Sequence, residues 1–110
     1  MADKGLKARA EHLVNTYEAL ELPKELGEAQ KVVNEWMETN AHPFTPGGMA
    51  FNVVMLGRMV RRVGWCARQR FMQVAPLEYR KELVAVAEEM GCKFELELLK
   101  GMEKVEVKEG

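Results

Sequence analysis

The stretch TPGGMAFNVVMLGRMVRRVGWCARQRFMQV, residues 45–74, decides the fold that the sequence predicts. Thr45 before Pro46 is typical of a helix N-cap followed by proline at the first helical position. The apolar spacing then predicts a third helix from Pro46 towards Val74. A continuous helix of that length would measure about 42 Å, which is long for a domain of this size. We therefore expect a bend near Gly57 or Gly64.

On a helical wheel, the two sides of this helix differ sharply. With Trp65 at the centre, one side carries the polar residues within about 60° of the indole, namely Arg58, Arg61, Arg62, Arg68 and Gln69. The opposite side carries Met49, Leu56, Val60, Val63, Ala67 and Val74. The apolar side is the expected core face, so Trp65 is predicted to lie inside a basic stripe and away from the core.

The charges of the chain are unevenly distributed. Residues 39–77 contain five arginines and no acid, whereas the segments before and after each carry a balance of −3. A basic, acid-free segment with a central aromatic residue is typical of polyanion binding, because guanidinium groups contact phosphates and an indole stacks on bases. The predicted nucleic-acid-binding residues are Arg58, Arg61, Arg62, Trp65, Arg68 and Arg70.

Other interpretations of the same stripe remain open. It is also the pattern of a solvated helix face whose arginines pair with glutamates of the same chain, while Trp65 packs under the C-terminal tail or a second subunit. An acidic protein partner is a further alternative. A membrane surface is disfavoured, because Trp65 would then belong on the apolar face.

Small residues recur along one flank of this helix at intervals of seven, at Ala50, Gly57 and Gly64. Such a row lets a second helix approach closely. We expect internal packing against the first or second helix, and a symmetric dimer seam is the alternative.

The remaining helices follow from apolar periodicity and from turn residues. A first helix is predicted over 3–21, with Asp3 as its N-cap and an inner face of Leu6, Ala10, Leu13, Val14, Tyr17 and Leu20. A second is predicted over 24–39 with Val33 and Trp36 turned inward. A fourth is predicted over 76–90 and ends at Gly91.

The C-terminal tail, residues 93–108, changes to an alternating pattern that predicts a β-hairpin. A turn at Lys100-Gly101 would place Phe94 opposite Val107 and Leu96 opposite Val105, with one apolar face. The predicted fold is therefore a single, mainly α domain over 1–110, with about four helices and this C-terminal hairpin.

The composition excludes several chemistries. The chain has no serine, so a Ser-His-Asp triad is impossible, and Asp3 is its single aspartate, which excludes an EF-hand. Cys66, Cys92, His12 and His42 do not follow a zinc-ligand spacing. We expect a protein without catalytic residues, cofactor or metal, in which Cys66 is a packed, inert thiol.

The expected location is the cytoplasm. The start MADKGLKARAEH lacks an apolar leader, and the two cysteines fit reduced thiols. The apolar run of residues 49–56 is interrupted by Asn52 and is too short to span a bilayer, so no membrane association is expected.

These patterns favour a small non-catalytic binding module that contacts nucleic acid. The alternative is a protein-interaction or homo-oligomeric adaptor that uses the Ala50, Gly57 and Gly64 flank or the free edge of the hairpin.

Overall fold

The computed structural model describes residues 4–18, 26–40 and 43–100, and within these ranges it contains only helices and turns. Five helices are α1 (Lys4–Glu18), α2 (Leu26–Thr39), α3 (Pro46–Val63), α4 (Trp65–Val74) and α5 (Leu77–Met90). A sixth helix, α6, covers residues 93–100. The Cα radius of gyration is 13.0 Å, the value of about 13 Å expected for a compact domain of this length.

The start of α3 confirms the predicted capping. Thr45 has an extended backbone, and its hydroxyl oxygen accepts a hydrogen bond of 3.0 Å from the backbone N–H of Gly48. Pro46 occupies the first turn, where its missing N–H has no helical partner to lose. This cap fixes the residue at which the central helix begins.

The predicted bend in the third helix is a full break at Gly64. Gly64 adopts φ 83°, so the chain leaves α3 there and starts α4 at Trp65. Its N–H still bonds to the carbonyl oxygen of Val60 at 2.8 Å, which closes the last turn of α3. A residue with a side chain rarely adopts this positive φ, so glycine permits the break.

Helix α3 is the centre of the fold, because it packs against α1, α2, α4 and α5. Its predicted core face is confirmed: Leu56 and Val63 are buried, as is Ala67 of α4, and Met49, Val60 and Val74 pack partly buried against the same core. The core also receives Leu6, Ala10 and Val14 from α1.

One inward assignment in α1 is wrong. Leu13 is 52% exposed, although its neighbour Val14 is fully buried. The buried face of α1 is narrow and consists of Leu6, Ala10 and Val14, which are four residues apart. Leu13 lies beside this face. Asp3, Leu20 and residues 19–25 lie outside the described residues, so the predicted N-cap and helix end are not tested.

A hydrogen-bonded network centred on Asn52 crosses the core. Asn52 lies in the middle of α3 with no exposed surface. Its side-chain oxygen accepts hydrogen bonds from the Trp36 indole N–H at 2.7 Å and from the Asn40 amide at 3.0 Å. Its amide nitrogen donates to the hydroxyl of Tyr79 at 2.6 Å. Helices α2, α3 and α5 are thereby joined at one buried side chain.

The network also fixes the connection between α2 and α3. The Tyr79 hydroxyl donates to the carbonyl oxygen of Pro43 at 2.7 Å, and the Asn40 amide donates to that of Gly48 at 3.0 Å. The ring of Phe44 meets Tyr79 edge to face, with 5.0 Å between ring centroids. Asn40, Pro43 and Phe44, which lie between α2 and α3, are held in place by these contacts with their neighbours.

Aromatic stacking links α2 to α4. The rings of Trp36 and Phe71 are nearly parallel, at 11°, with centroids 5.3 Å apart, and both side chains are fully buried. The inward prediction for Trp36 is therefore confirmed. Phe71 belongs to the basic stretch in sequence, yet it faces the core.

The end of α5 is as predicted. Gly91 adopts the left-handed conformation, and its N–H bonds back to carbonyl oxygens in the last turn of the helix. The chain reverses there and enters α6, so the left-handed glycine sets the position of the following segment.

The predicted β-hairpin is wrong in its first half, because residues 93–100 form a helix. Cys92, Glu95, Leu98 and Leu99 are buried, which follows helical spacing, whereas Phe94 is 37% exposed. Glutamate, leucine and lysine favour helices over strands, and this preference outweighs a short alternation. The second half of the hairpin, with Val105 and Val107, lies outside the described residues.

None of the helices in the described ranges combines the length and the hydropathy that a membrane span requires.

Tyr79 gives the fold a dependence on alkaline pH. Burial, together with the nearby charge of Glu82, raises the pKa of Tyr79 from 10.0 to about 12, although the hydrogen bond from Asn52 acts in the opposite direction. The unfolded chain releases this proton first, so the contribution of Tyr79 to stability is complete below pH 10 and is lost as the pH rises towards 12.

We predict that Tyr79→Phe weakens this dependence. Between pH 10 and pH 12 the free energy of unfolding of the wild type should fall more steeply, by up to about 1.4 kcal/mol per pH unit. Urea unfolding at several pH values measures the two slopes. Equal slopes for both proteins would contradict the assignment.

Candidate functional site

The basic residues predicted from the sequence lie around the junction of α3 and α4. Arg58, Arg61 and Arg62 belong to the last turns of α3, and Trp65, Arg68 and Arg70 belong to α4. Because the chain breaks at Gly64, these residues belong to two successive helices and not to one continuous helix. We call these six residues, together with Phe94 of α6, which contacts Arg61, the junction surface.

The exposure of these side chains divides them into two groups. Trp65 is 59% exposed, and Arg61 and Arg62 are exposed as well. Arg58, Arg68 and Arg70 are half-buried. The prediction that Trp65 faces away from the core is therefore confirmed.

Two of the half-buried arginines join helices through neutral acceptors. Arg58 donates a hydrogen bond of 2.9 Å to the side-chain oxygen of Asn15, which connects α3 to α1. Arg70 donates from Nε to the side-chain oxygen of Asn34 at 2.9 Å, which connects α4 to α2, and a second hydrogen bond reaches Gln73 at 3.0 Å. These two arginines contribute to the fold as well as to the surface charge.

Arg61 and Arg68 lie over aromatic rings. The guanidinium carbon of Arg61 is 4.3 Å from the centroid of the Phe94 ring, and that of Arg68 is 4.7 Å from the centroid of the Trp65 ring. Arg68 also donates from Nε to the carbonyl oxygen of Leu98 at 3.2 Å. Burial lowers the pKa of Arg68, and an arginine nevertheless keeps its proton in a protein.

The partners of these arginines bear on the possibility of internal neutralisation. Within the described ranges, the contacts of Arg61, Arg68 and Arg70 are to aromatic rings, amide oxygens and a backbone carbonyl oxygen. None of these groups carries a negative charge. Three positive charges of the junction surface are thus held in position by neutral groups.

Phe94 is a member of the junction surface that the sequence analysis missed. It was assigned to the apolar face of a strand, whereas in α6 it lies under the guanidinium of Arg61 and remains 37% exposed. The sequence did contain a signal for this position, because Cys92, Glu95, Leu98 and Leu99 are spaced three or four residues apart, as on one face of a helix. Phe94 does not belong to that face.

The three small residues proposed as an interface occupy different environments. Ala50 is fully buried. Gly57 faces the buried side chain of Glu95 from α6, and a Cβ atom on Gly57 would lie 2.7 Å from Cδ of Glu95. Gly64 has nothing near the position of a Cβ atom, and its role is the positive φ at the helix break. Gly57 therefore lies against α6 rather than against the first or second helix.

A polar cleft of about 210 Å³ lies beside Glu95, between α1, α3 and the start of α6. Both signs of charge line it, with Lys7, Glu11, Arg58, Arg61, Lys93 and Glu95. Cys92 also lines this cleft, and burial together with the charge of Glu95 raises the pKa of its thiol. A raised pKa keeps the thiol protonated, which disfavours a nucleophilic role.

Metal binding finds no support in the described part of the chain. No group of three His, Cys, Asp or Glu side chains is placed there to hold a metal ion. Cys66 is half-buried and Cys92 is buried, and neither forms a disulfide. His12 is exposed, and His42 lies outside the described residues.

A second, larger cleft of about 670 Å³ lies at the corner between α4 and α5. Arg80 lines it, is only 3% exposed, and donates from Nε to the carbonyl oxygen of Ala75 at 3.0 Å. This contact satisfies a carbonyl group at the end of α4, so Arg80 supports the corner between the two helices.

Comparisons with models of protein families, with curated proteins and with solved structures found no match.

We predict that Gly57→Leu destabilises the fold, whereas Gly47→Leu does not. Both glycines lie in α3, but a side chain at Gly57 must displace the buried Glu95, and one at Gly47 enters open space. The expected cost at Gly57 is about 1–3 kcal/mol. Chemical denaturation measures both variants, and equal stabilities would show that Glu95 does not pack against Gly57.

Proposed function

We propose that the protein is a small, non-catalytic, cytoplasmic binding module whose junction surface contacts the phosphate backbone of nucleic acid without sequence preference. The contacts would come from the guanidinium groups of Arg58, Arg61, Arg62, Arg68 and Arg70, and Trp65 would offer an aromatic face to the ligand. Binding of this kind is dominated by electrostatics.

The observation that carries the proposal is that Arg61 and Arg68 each lie over an exposed aromatic ring. The guanidinium carbon lies 4.3 Å from the centroid of the Phe94 ring for Arg61 and 4.7 Å from the centroid of the Trp65 ring for Arg68. An arginine held in this way keeps its charge available for an anion and has already lost part of its conformational freedom. Less entropy is then lost when a phosphate binds.

The charge distribution along the chain supports the same function. The acid-free residues 39–77 supply the whole of α3 and α4, so the positive charge is concentrated at their junction. A local excess of one sign attracts an oppositely charged polymer even when the protein as a whole is nearly neutral.

The adaptor function has less support. Ala50 and Gly57 are covered within the same chain, by the core and by Glu95 respectively. The tail that was expected to offer a strand edge begins as α6.

We predict that Arg61→Glu combined with Arg62→Glu abolishes binding to DNA and RNA. The wild type should bind at low salt, and its affinity should fall as salt rises, with a slope in log K against log salt of about −0.9 per phosphate contacted on a duplex. Fluorescence anisotropy with labelled oligonucleotides measures both properties.

The matched control is Arg9→Glu combined with Lys81→Glu, which makes the same change in net charge at exposed positions of α1 and α5. The control should retain most of the affinity. A wild type that binds no nucleic acid at low salt would refute the proposed function.

A further inference from the structure

Two exposed aromatic rings at the junction surface share the same arrangement. Trp65 is 59% exposed and Phe94 is 37% exposed, although large apolar side chains are usually placed in the core. Each ring is covered by one guanidinium group, from Arg68 and Arg61 respectively. The surface therefore contains two pairs, each of one aromatic ring and one positive charge.

The two pairs lie close together because both involve α6. Arg61 lies over Phe94, and Arg68 donates a hydrogen bond to the carbonyl oxygen of Leu98. Phe94 and Leu98 are four residues apart in this helix, which corresponds to roughly 6 Å along its axis. Arg61 and Arg68 thus contact α6 at positions about one turn apart, which places both ring–guanidinium pairs beside the same helix.

This arrangement distinguishes between forms of nucleic acid. In a duplex, the faces of the bases are covered by neighbouring base pairs, so a protein meets only the backbone and the base edges. In a single strand, the base faces are available, and they stack on aromatic side chains and on guanidinium planes. Exposed rings contribute little to binding a regular duplex but contribute directly to binding a single strand.

We propose that the ligand of the junction surface is single-stranded nucleic acid. Bases stack on the rings of Trp65 and Phe94, and Arg61 and Arg68 contact the adjoining phosphates. This inference rests on the proposed function and adds the class of nucleic acid to it.

The test compares a single strand with a duplex of the same length. The probes are fluorescein-labelled oligo(dT), oligo(U) and a mixed-sequence DNA duplex, each titrated at one low salt concentration. The variants are Trp65→Leu and Phe94→Leu, which remove an aromatic face and keep an apolar side chain. Leu13→Ala is the control, because Leu13 is also about half exposed but lies on α1.

The intrinsic fluorescence of tryptophan provides a second readout. The chain has two tryptophans, and Trp36 is fully buried whereas Trp65 is exposed. A base that stacks on an indole quenches its emission. Oligo(dT) should therefore quench the wild type and should leave the emission of Trp65→Leu unchanged.

The expected result is at least about tenfold tighter binding of the single strands than of the duplex, because only the single strands stack bases on the rings. Each aromatic substitution should weaken single-strand binding by about 5- to 150-fold, with little effect from Leu13→Ala. If single strand and duplex bind equally and the aromatic variants bind like the wild type, the inference is wrong and the backbone-binding function stands. If neither form binds to the wild type, both are wrong.

Discussion

The rest of the structure depends on the hydrogen bonds of the buried Asn52 side chain. A polar group without exposed surface requires hydrogen-bond partners, and these come from Trp36, Asn40 and Tyr79. Trp36 lies in α2, Asn40 directly follows α2, and Tyr79 lies in α5. The Asn52 amide therefore fixes how α2 and α5 are placed against α3. Apolar packing alone would allow the helices to slide, whereas hydrogen bonds of fixed direction specify one arrangement.

The outer surface follows from that arrangement. One side of α3 packs into the core and its arginines lie on the other sides, and Trp65, the first residue of α4 after the break at Gly64, is also exposed. Helix α6 completes the surface, because Phe94 and the carbonyl oxygen of Leu98 receive Arg61 and Arg68. Arginines keep their charge while they lie over rings and bond to neutral acceptors, so the same residues that join helices would also supply the charge for the proposed binding of nucleic acid.

Features that depend on residues close in sequence could be predicted, whereas contacts between distant segments could not. The cap at Thr45, the stop at Gly91 and the outward position of Trp65 depend on neighbouring residues, and all three are confirmed. The hydrogen bonds of Asn52 itself reach residues as many as 27 positions away, and no local pattern marks them. The tail was misjudged because Phe94, Leu96 and Leu98 alternate with glutamates, and an alternation this short also fits a helix.

Hydrogen exchange of the two indole N–H groups tests the central claim most directly, that Asn52 holds the core together and leaves Trp65 outside it. The indole N–H of Trp36 donates to Asn52, and both side chains are fully buried. NMR should therefore show that it exchanges as slowly as the slowest backbone amides, which exchange only by global unfolding. The Trp65 N–H should exchange without protection. Rapid exchange at Trp36, or equal protection at both tryptophans, would contradict the account.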